Sequence, residues 1–388
     1  MHLRLLARCL FRIVRHHVAM ATSRRRRPIF LPRAMNPQGN KRALLVHIVE
    51  PLADNQVDVR HQNRWQVREL ARCLAERGYC VDALAPGGSV PLGTPAYDLV
   101  VDLHPGISKY PDTGIKIAYI TGSNPAFSNR AEHTRMLSLS QRRGVRLAPR
   151  RHVTEFRAHD LERCDAIFFM GNVTNLETFA GFRLRAISFI RNFAYTIPPV
   201  HPTVTNRAGF LFLASGGQVH KGLDLLLEVI ANHPEWTLHV CSPFHEEPDF
   251  CRTYARELFM LPNIIAHGFQ RLDSPAFAAI AAQCSFVVLP SCSEGFAGSV
   301  LSGMAAGLIP VVSRESGIGA AEAHLFPSCT TEAIATTLAE LTRLPPSALA
   351  TASDQARRLI TETYTPAAFT ASLNAALDAV TGIAHRPN

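Results

Sequence analysis

The chain has 388 residues, 47% of them hydrophobic, enough for two cores of ordinary domain size. Its formal charge of +9 is concentrated at one end: residues 1–42 hold eleven Arg or Lys and no acid, and the remaining 29 basic and 31 acidic residues nearly cancel. That distribution argues against a nucleic-acid-binding body, and no apolar run reaches the roughly 18–20 residues of a spanning helix.

Nine widely spaced cysteines without a C-x-x-C pair argue against a disulfide framework or a zinc site and fit a reducing cytosol. In the first 40 residues, read as a basic arm, Arg4, Arg8, Arg12 and Arg15 recur at helical spacing opposite Leu3, Leu6, Leu10, Ile13 and Val14. Arg24–Arg27 then make a run of like charge. Such a segment suits an anionic membrane surface, with residues 1–34 as the contact. A mitochondrial presequence, a disordered leader, or a start at Met20 or Met35 are the other readings.

From Lys41 the chain alternates apolar strands and amphipathic helices. Strands are expected at Ala43–Ile48, Tyr79–Leu84, Leu99–Leu103, Ile115–Thr121 and Ala166–Met170, with a helix at Asn63–Arg77. The stretch 196–208, with Pro198, Pro199 and Pro202, reads as a linker. The alternation then restarts: strands at Gly209–Ala214, Trp236–Val240, Asn263–Ala266, Phe286–Leu289 and Pro310–Val312, a helix at Leu223–Ile230, and mainly helix from Thr331. This predicts an α/β protein of two doubly wound, Rossmann-like domains, 41–195 and 209–388, with a ligand in the cleft at the strand carboxyl ends.

Two segments of the second half carry chemistry. After its first strand comes Ser215-Gly216-Gly217-Gln218-Val219-His220-Lys221-Gly222. Paired glycines let a backbone approach an anion, and Lys221 adds a charge before a helix amino end, a combination suited to a diphosphate. Roughly seventy residues on, the strand Phe286–Leu289 runs into Glu294-Gly295-Phe296-Ala297-Gly298 and a small-residue helix. A carboxylate on that turn, with free amides behind it, suits a hydroxyl-rich anionic ligand. No D-x-D metal signature occurs, and Glu247-Pro-Asp249 reads as a solvated loop.

Together these segments resemble the donor-sugar signature of GT-B glycosyltransferases of family four, glycosyltransferase group 1. The resemblance spans roughly residues 41–375 and is specific only in the second half. It implies transfer of a sugar from a nucleotide-diphosphate sugar to a glycan or glycolipid acceptor, with retention, without metal or other cofactor, in envelope polysaccharide or glycolipid assembly. The enzyme is expected in the cytoplasm, with the inner membrane face as a peripheral site.

By the same resemblance Glu294 meets the donor sugar, and Gly216, Gly217, Lys221 and the amides of Gly295, Phe296 and Ala297 bind the donor. His267, Gly268 and Phe269 lie toward the base. The sequence departs from the family pattern twice. Ser302 stands where a second glutamate would bind the ribose hydroxyls, and Gly216 stands where many members carry an arginine. No second carboxylate pairs with Glu294 as the two-carboxylate retaining mechanism requires.

On the acceptor side, residues 121–152 follow a strand of the first half and hold seven arginines between Arg130 and Arg151. Asn124, Arg130 and His133 are the candidate acceptor-binding residues, and an anionic acceptor would fit. A solvated basic helix is the other reading of the later arginines. His104, after the strand Leu99–Leu103, is the candidate catalytic base, with His61 and His133 as alternatives. The rival functions are a nucleotide-sugar epimerase of the same fold and a degenerate transferase that binds sugar nucleotide or membrane without turnover. The late glycine fingerprint Ser316-Gly317-Ile318-Gly319 supports a dinucleotide dehydrogenase only weakly.

Overall fold

The structure is a computed structural model, and it describes residues 29–53, 62–103, 106, 109–110, 114–195, 197 and 207–382. The Arg-rich segment up to residue 28, His61, His104 and most of the proline-rich linker lie outside the described residues.

The first domain is built on β1 (Phe30–Met35), β2 (Lys41–Val46), β3 (Tyr79–Leu84), β4 (Leu99–Asp102), β5 (Ile115–Ile120), β6 (Ala166–Phe169) and β7 (Ile187–Phe189). They form one sheet in the order β1-β3-β2-β4-β5-β6-β7. All pairs are parallel except β1 on β3. The apolar runs of β3, β4 and β6 are buried throughout because helices cover the sheet. Helix α1 (Gln62–Glu76) buries Val67, Leu70, Cys73 and Leu74 at helical spacing. Helix α2 (Pro125–Arg143) starts at Asn124, whose Oδ1 accepts from the amide of Ala126 at 2.8 Å. It stops at Gly144 in the left-handed conformation.

The second domain holds β8 (Gly209–Leu213), β9 (Thr237–Cys241), β10 (Ile264–Ala266), β11 (Phe286–Leu289), β12 (Ile309–Val312) and β13 (His324–Leu325). The order β10-β9-β8-β11-β12-β13 is parallel throughout. The strand order reverses between β8 and β11, so their carboxyl ends flank a switch-point crevice. Helix α3 (Leu223–Ala231) follows β8, and helix α4 (Gly298–Ala305) follows β11. The two segments singled out in the sequence are the turns leading into these helices.

Two expected boundaries move. The arm does not run to residue 40, because Phe30–Met35 pairs as an antiparallel edge strand on β3. Nor does the second domain keep everything to residue 388. Its last described helix, α5 (Pro366–Thr381), returns to the first domain, where Phe369, Leu373, Ala376 and Leu377 join the core of α1 and the first sheet. Phe369 packs edge-on to Trp65 and Phe193, and the buried Arg77 guanidinium holds the Asn374 side chain and the carboxylate of Asp378. All eight described cysteines are unbridged. Among the described residues no helix is long and apolar enough to cross a membrane.

Candidate active site

The site begins at β11. The strand is fully buried and ends at Leu289; Ser291, Cys292 and Ser293 beyond it are buried too, and Glu294 then lines the cleft. Glu294 is held from three directions. Its carboxylate pairs with the Lys221 ammonium and accepts from Ser291 Oγ at 2.7 Å. Its amide donates to the Glu315 carbonyl at 3.0 Å. Its own carbonyl accepts from the amide and hydroxyl of Ser123 and from Asn175 Nδ2, at 3.1, 2.7 and 3.1 Å. Those last three donors belong to the first domain.

The grip continues along the segment. Ser128 and Ser293 share a hydroxyl contact of 2.6 Å, Arg135 Nη1 donates to the Pro290 carbonyl, and Asn192 Nδ2 donates to the Phe296 carbonyl. Gly295 lies so close to the Thr121 carbonyl that a Cβ there would collide with it. Glycine is therefore required at 295 for the domains to touch.

Between the domains is a cavity of about 380 Å³, within the range of small-molecule sites. Lys221, Glu294, Gly295, Phe296, Ala297 and Ser302 line it from the second domain, with Phe269, Gln270 and Arg271 at another part of the wall. Gln62, Gln66, Asn192 and Arg151 line it from the first.

The electrostatics of the wall follow from burial. Burial acts to raise the Glu294 carboxyl, but the charge of Lys221 and the donated hydrogen bonds outweigh it and hold it below the ordinary carboxylate range. Burial pushes the Lys221 ammonium down, with Arg151 adding to the effect and Glu294 opposing it. His220 is pushed down to about 4 by burial and then by Lys221, so it is neutral at neutral pH. Its Nε2 then carries the proton and donates to the Ser293 carbonyl at 2.7 Å.

Several expected donor-site roles change. The paired glycines do not offer a vacant amide cradle. The amides of Gly217 and Gln218 donate to the carboxylate of Glu247, the former at 2.6 Å. Glu247 is buried, not part of a solvated loop, and burial raises its carboxyl despite those bonds. Gly216 and Gly217 thus shape the turn around an internal carboxylate. The Ala297 amide is likewise spent, on the Ser316 carbonyl at 2.9 Å, whereas those of Gly295 and Phe296 have no acceptor among the described residues. Ser302 lines the cavity, but its hydroxyl donates to the Gly298 carbonyl at 3.1 Å. At the base end, Phe269 is half exposed on the wall, while His267 stacks on His239 with a 3.0 Å ring-nitrogen contact and is structural.

The acceptor-side candidates scatter. Asn124 is a buried helix cap, spent on α2 and on Thr178, and does not face the cavity. Arg130 and His133 are exposed on α2, outside the cavity wall. Of the later arginines Arg146 is exposed, as a solvated face would have it, but three others are spent in ion pairs. Arg142 pairs with Asp224 and Glu228, Arg143 with Glu228 and Glu257, and Arg150 with Asp249, each bond crossing between domains. Residues to which the sequence gives no role include Ser123, Asn175 and Gln62. Only their place in space marks them, since none stands in a motif. Among the described residues no three His, Cys, Asp or Glu side chains cluster as a metal site would need.

The family described as glycosyl transferases group 1 matches residues 207–343, the second domain up to its last two helices. No curated protein matches the sequence. The fold is shared with solved structures at low identity. HepE of Anabaena, in complex with UDP and glucose, is 12% identical with a TM-score of 0.58, over 88% of this chain and 100% of that one. Sucrose-phosphate synthase of Thermosynechococcus elongatus is 14% identical with a TM-score of 0.56, over 88% and 99%. WaaG, a glycosyltransferase involved in lipopolysaccharide biosynthesis, is 14% identical with a TM-score of 0.54, over 88% and 100%. Residues 207–343 thus carry a glycosyl transferases group 1 domain, and the chain shares the two-domain GT-B fold of these solved structures along its length.

Proposed function

We propose that the chain transfers a hexose from a nucleoside-diphosphate sugar to a glycan or glycolipid acceptor, with retention and without a metal. The observation that carries this reading is the buried Lys221–Glu294 pair at the switch point, facing a cavity between two Rossmann-like domains. A departing nucleoside diphosphate gains negative charge, and a cation fixed in a water-poor cleft stabilises it without reorganising. Lys221 is the fixed cation. Glu294 compensates its charge and is released toward the sugar hydroxyls when phosphate takes its place. The amides of Gly295 and Phe296 add two donors at the same wall. The cation supplied by Lys221 is what supports metal independence.

A UDP-sugar is the first donor to try, since HepE was solved with UDP and glucose. The lipopolysaccharide role of WaaG supports an envelope glycolipid acceptor. Peripheral attachment at the inner membrane face rests on the basic arm. The edge strand at Phe30 makes residues 1–28 the segment to remove. Vesicle flotation with anionic and neutral lipid, with and without that segment, tests it, and equal flotation ends the proposal.

A panel of nucleoside-diphosphate sugars, read by thermal shift and by released nucleotide, tests the main reading. Release of a nucleoside diphosphate, dependent on acceptor and undiminished by a chelator, is expected. Binding without release under all acceptors would favour the degenerate transferase, and conversion of the sugar without transfer would favour the epimerase.

A further inference from the structure

The loop before Lys221 has glycine at 216, where the family resemblance implies an arginine. The cavity nevertheless contains a second cation at this place, and it comes from the other domain. Arg151 lies beyond the end of α2 and lines the cavity with Lys221 and Glu294. Its aliphatic stem crosses the face of Gly217: a Cβ on that glycine would stand 2.5 Å from Arg151 Cγ and 2.9 Å from Cδ. Gly217, at φ +86, is thus both a left-handed turn residue and the clearance through which the stem passes.

The placement is built rather than incidental. Glu132, buried on α2, accepts from the amides of Arg150 and Arg151 at 3.0 and 3.1 Å. Asn129 makes two further bonds, each of 2.9 Å, with the backbone of Val153. Arg150 pairs across the cleft with Asp249 at 2.6 Å. These contacts fix the backbone on both sides of Arg151 and leave its guanidinium without an ion pair among the described residues. Its neighbours on α2, by contrast, are consumed in interdomain pairs.

We infer that Arg151 is a donor-diphosphate ligand supplied by the first domain, which together with Lys221 clamps the phosphates between the two halves. A planar guanidinium matches phosphate oxygens in pairs, and Lys221 supplies a point charge beside it. The inference rests on the nucleoside-diphosphate-sugar reading, and it separates Arg151 from the acceptor side, where the arginine-rich stretch places it by sequence.

The test uses the full chain and calorimetric titration with UDP, ADP and GDP, and with the nucleoside of whichever binds. Arg151→Met keeps the stem over Gly217 and removes the charge. It is expected to weaken the diphosphate at least tenfold, leave the nucleoside unchanged, and raise the KM for donor but not for acceptor. Arg151→Lys should fall between wild type and Arg151→Met. An unchanged diphosphate affinity in a folded Arg151→Met protein, or an effect confined to the acceptor KM, overturns the assignment. If Lys221→Ala loses the diphosphate while Arg151→Met keeps it, this inference fails and the donor reading stands. If wild type binds none of the three, both fail.

Discussion

The two halves have similar sheets, yet they bring different things to the cleft. The second domain presents its chemistry through side chains on two turns, Lys221 before α3 and Glu294 before α4, both at the switch point of one sheet. The first domain holds that chemistry in place, mostly through polar groups on backbone carbonyls: Ser123 and Asn175 on Glu294, Arg135 on Pro290, Asn192 on Phe296. The donor turn is therefore part of the domain interface. What the second domain binds depends on how firmly the first grips it.

The largest difference between the halves is expected at Lys221. If the second domain supplies the leaving-group charge, Lys221→Ala should lower kcat about 10²–10³-fold, the cost of losing one preorganised donor, or about 3–4 kcal/mol. The same change strands a buried carboxylate, which destabilises by a similar amount. The double variant Lys221→Met/Glu294→Gln removes the stranded charge. It should regain most of the lost Tm and none of the activity, so calorimetry beside a release assay separates catalysis from folding. Activity in the double variant near wild type would move the chemistry elsewhere in the cleft.

His220 offers a pH handle on the same turn. Its folded pKa of about 4 lies below the ordinary 6.5, because burial and Lys221 oppose a second positive charge. Between these values the unfolded chain binds a proton that the folded chain does not, so stability rises with pH across the window and falls on acidification from 6.5 toward 4. The full contribution is about 3 kcal/mol, from 1.36 kcal/mol per pKa unit. His239, also lowered to about 4 by burial and His267, titrates in the same window. It remains in a His220→Gln variant, which can still donate to the Ser293 carbonyl. The difference between the two proteins in chemical denaturation at pH 7 and pH 4.5 isolates His220. Identical pH slopes would mean that it takes up its proton in the folded state.

The second domain was the legible half for a physical reason. Its central strands β8, β11 and β12 are short apolar runs buried throughout, and its turns carry glycine and charge at the positions where a ligand would sit. The family signature lies on those turns. The first domain acts through contacts distant in sequence, which local pattern does not encode. Phe30–Met35 contains Pro32 and Arg33 and follows a basic run, so nothing in its own residues distinguishes an edge strand from an arm. The periodicity of Pro366–Thr381 predicts a helix, but the core it joins depends on the return of the chain across the cleft. Glu247 reads locally as a loop carboxylate because its partners, Gly217 and Gln218, stand about thirty residues upstream. Asn124 was legible as a polar residue after a strand, and a helix cap has that same signature.

The glycine pair sharpens the contrast between turn and partner domain. A Cβ at Gly216 has room, its nearest neighbour being Glu247 Oε1 at 3.8 Å, whereas one at Gly217 meets both a positive φ and the Arg151 stem. Gly216→Ala should be close to neutral in stability. Gly217→Ala should cost about 1–2 kcal/mol from the backbone alone and should also weaken diphosphate binding by displacing Arg151. Paired denaturation and titration of the two variants reads both effects. Equal behaviour would show that the first domain does not lean on this loop.

The smallest expected effect tests the departure at 302. Ser302 is buried on α4, and its hydroxyl proton is directed to the Gly298 carbonyl within its own helix. A ribose hydroxyl would have to break that bond to gain a similar one, for little net energy. Ser302→Ala should therefore change donor affinity less than threefold and leave the helix as stable or slightly more so, since alanine favours a helix interior. Ser302→Glu separates the remaining possibilities. The residue lines the cavity, so a glutamate there extends along its wall. Tighter nucleotide binding in that variant would mean that the ribose lies against α4 and that the natural chain holds it loosely. Blocked binding would mean that the ribose lies against some other part of the wall, with the half-exposed Phe269 and the polar Gln62 and Gln66 of the first domain as the next residues to vary.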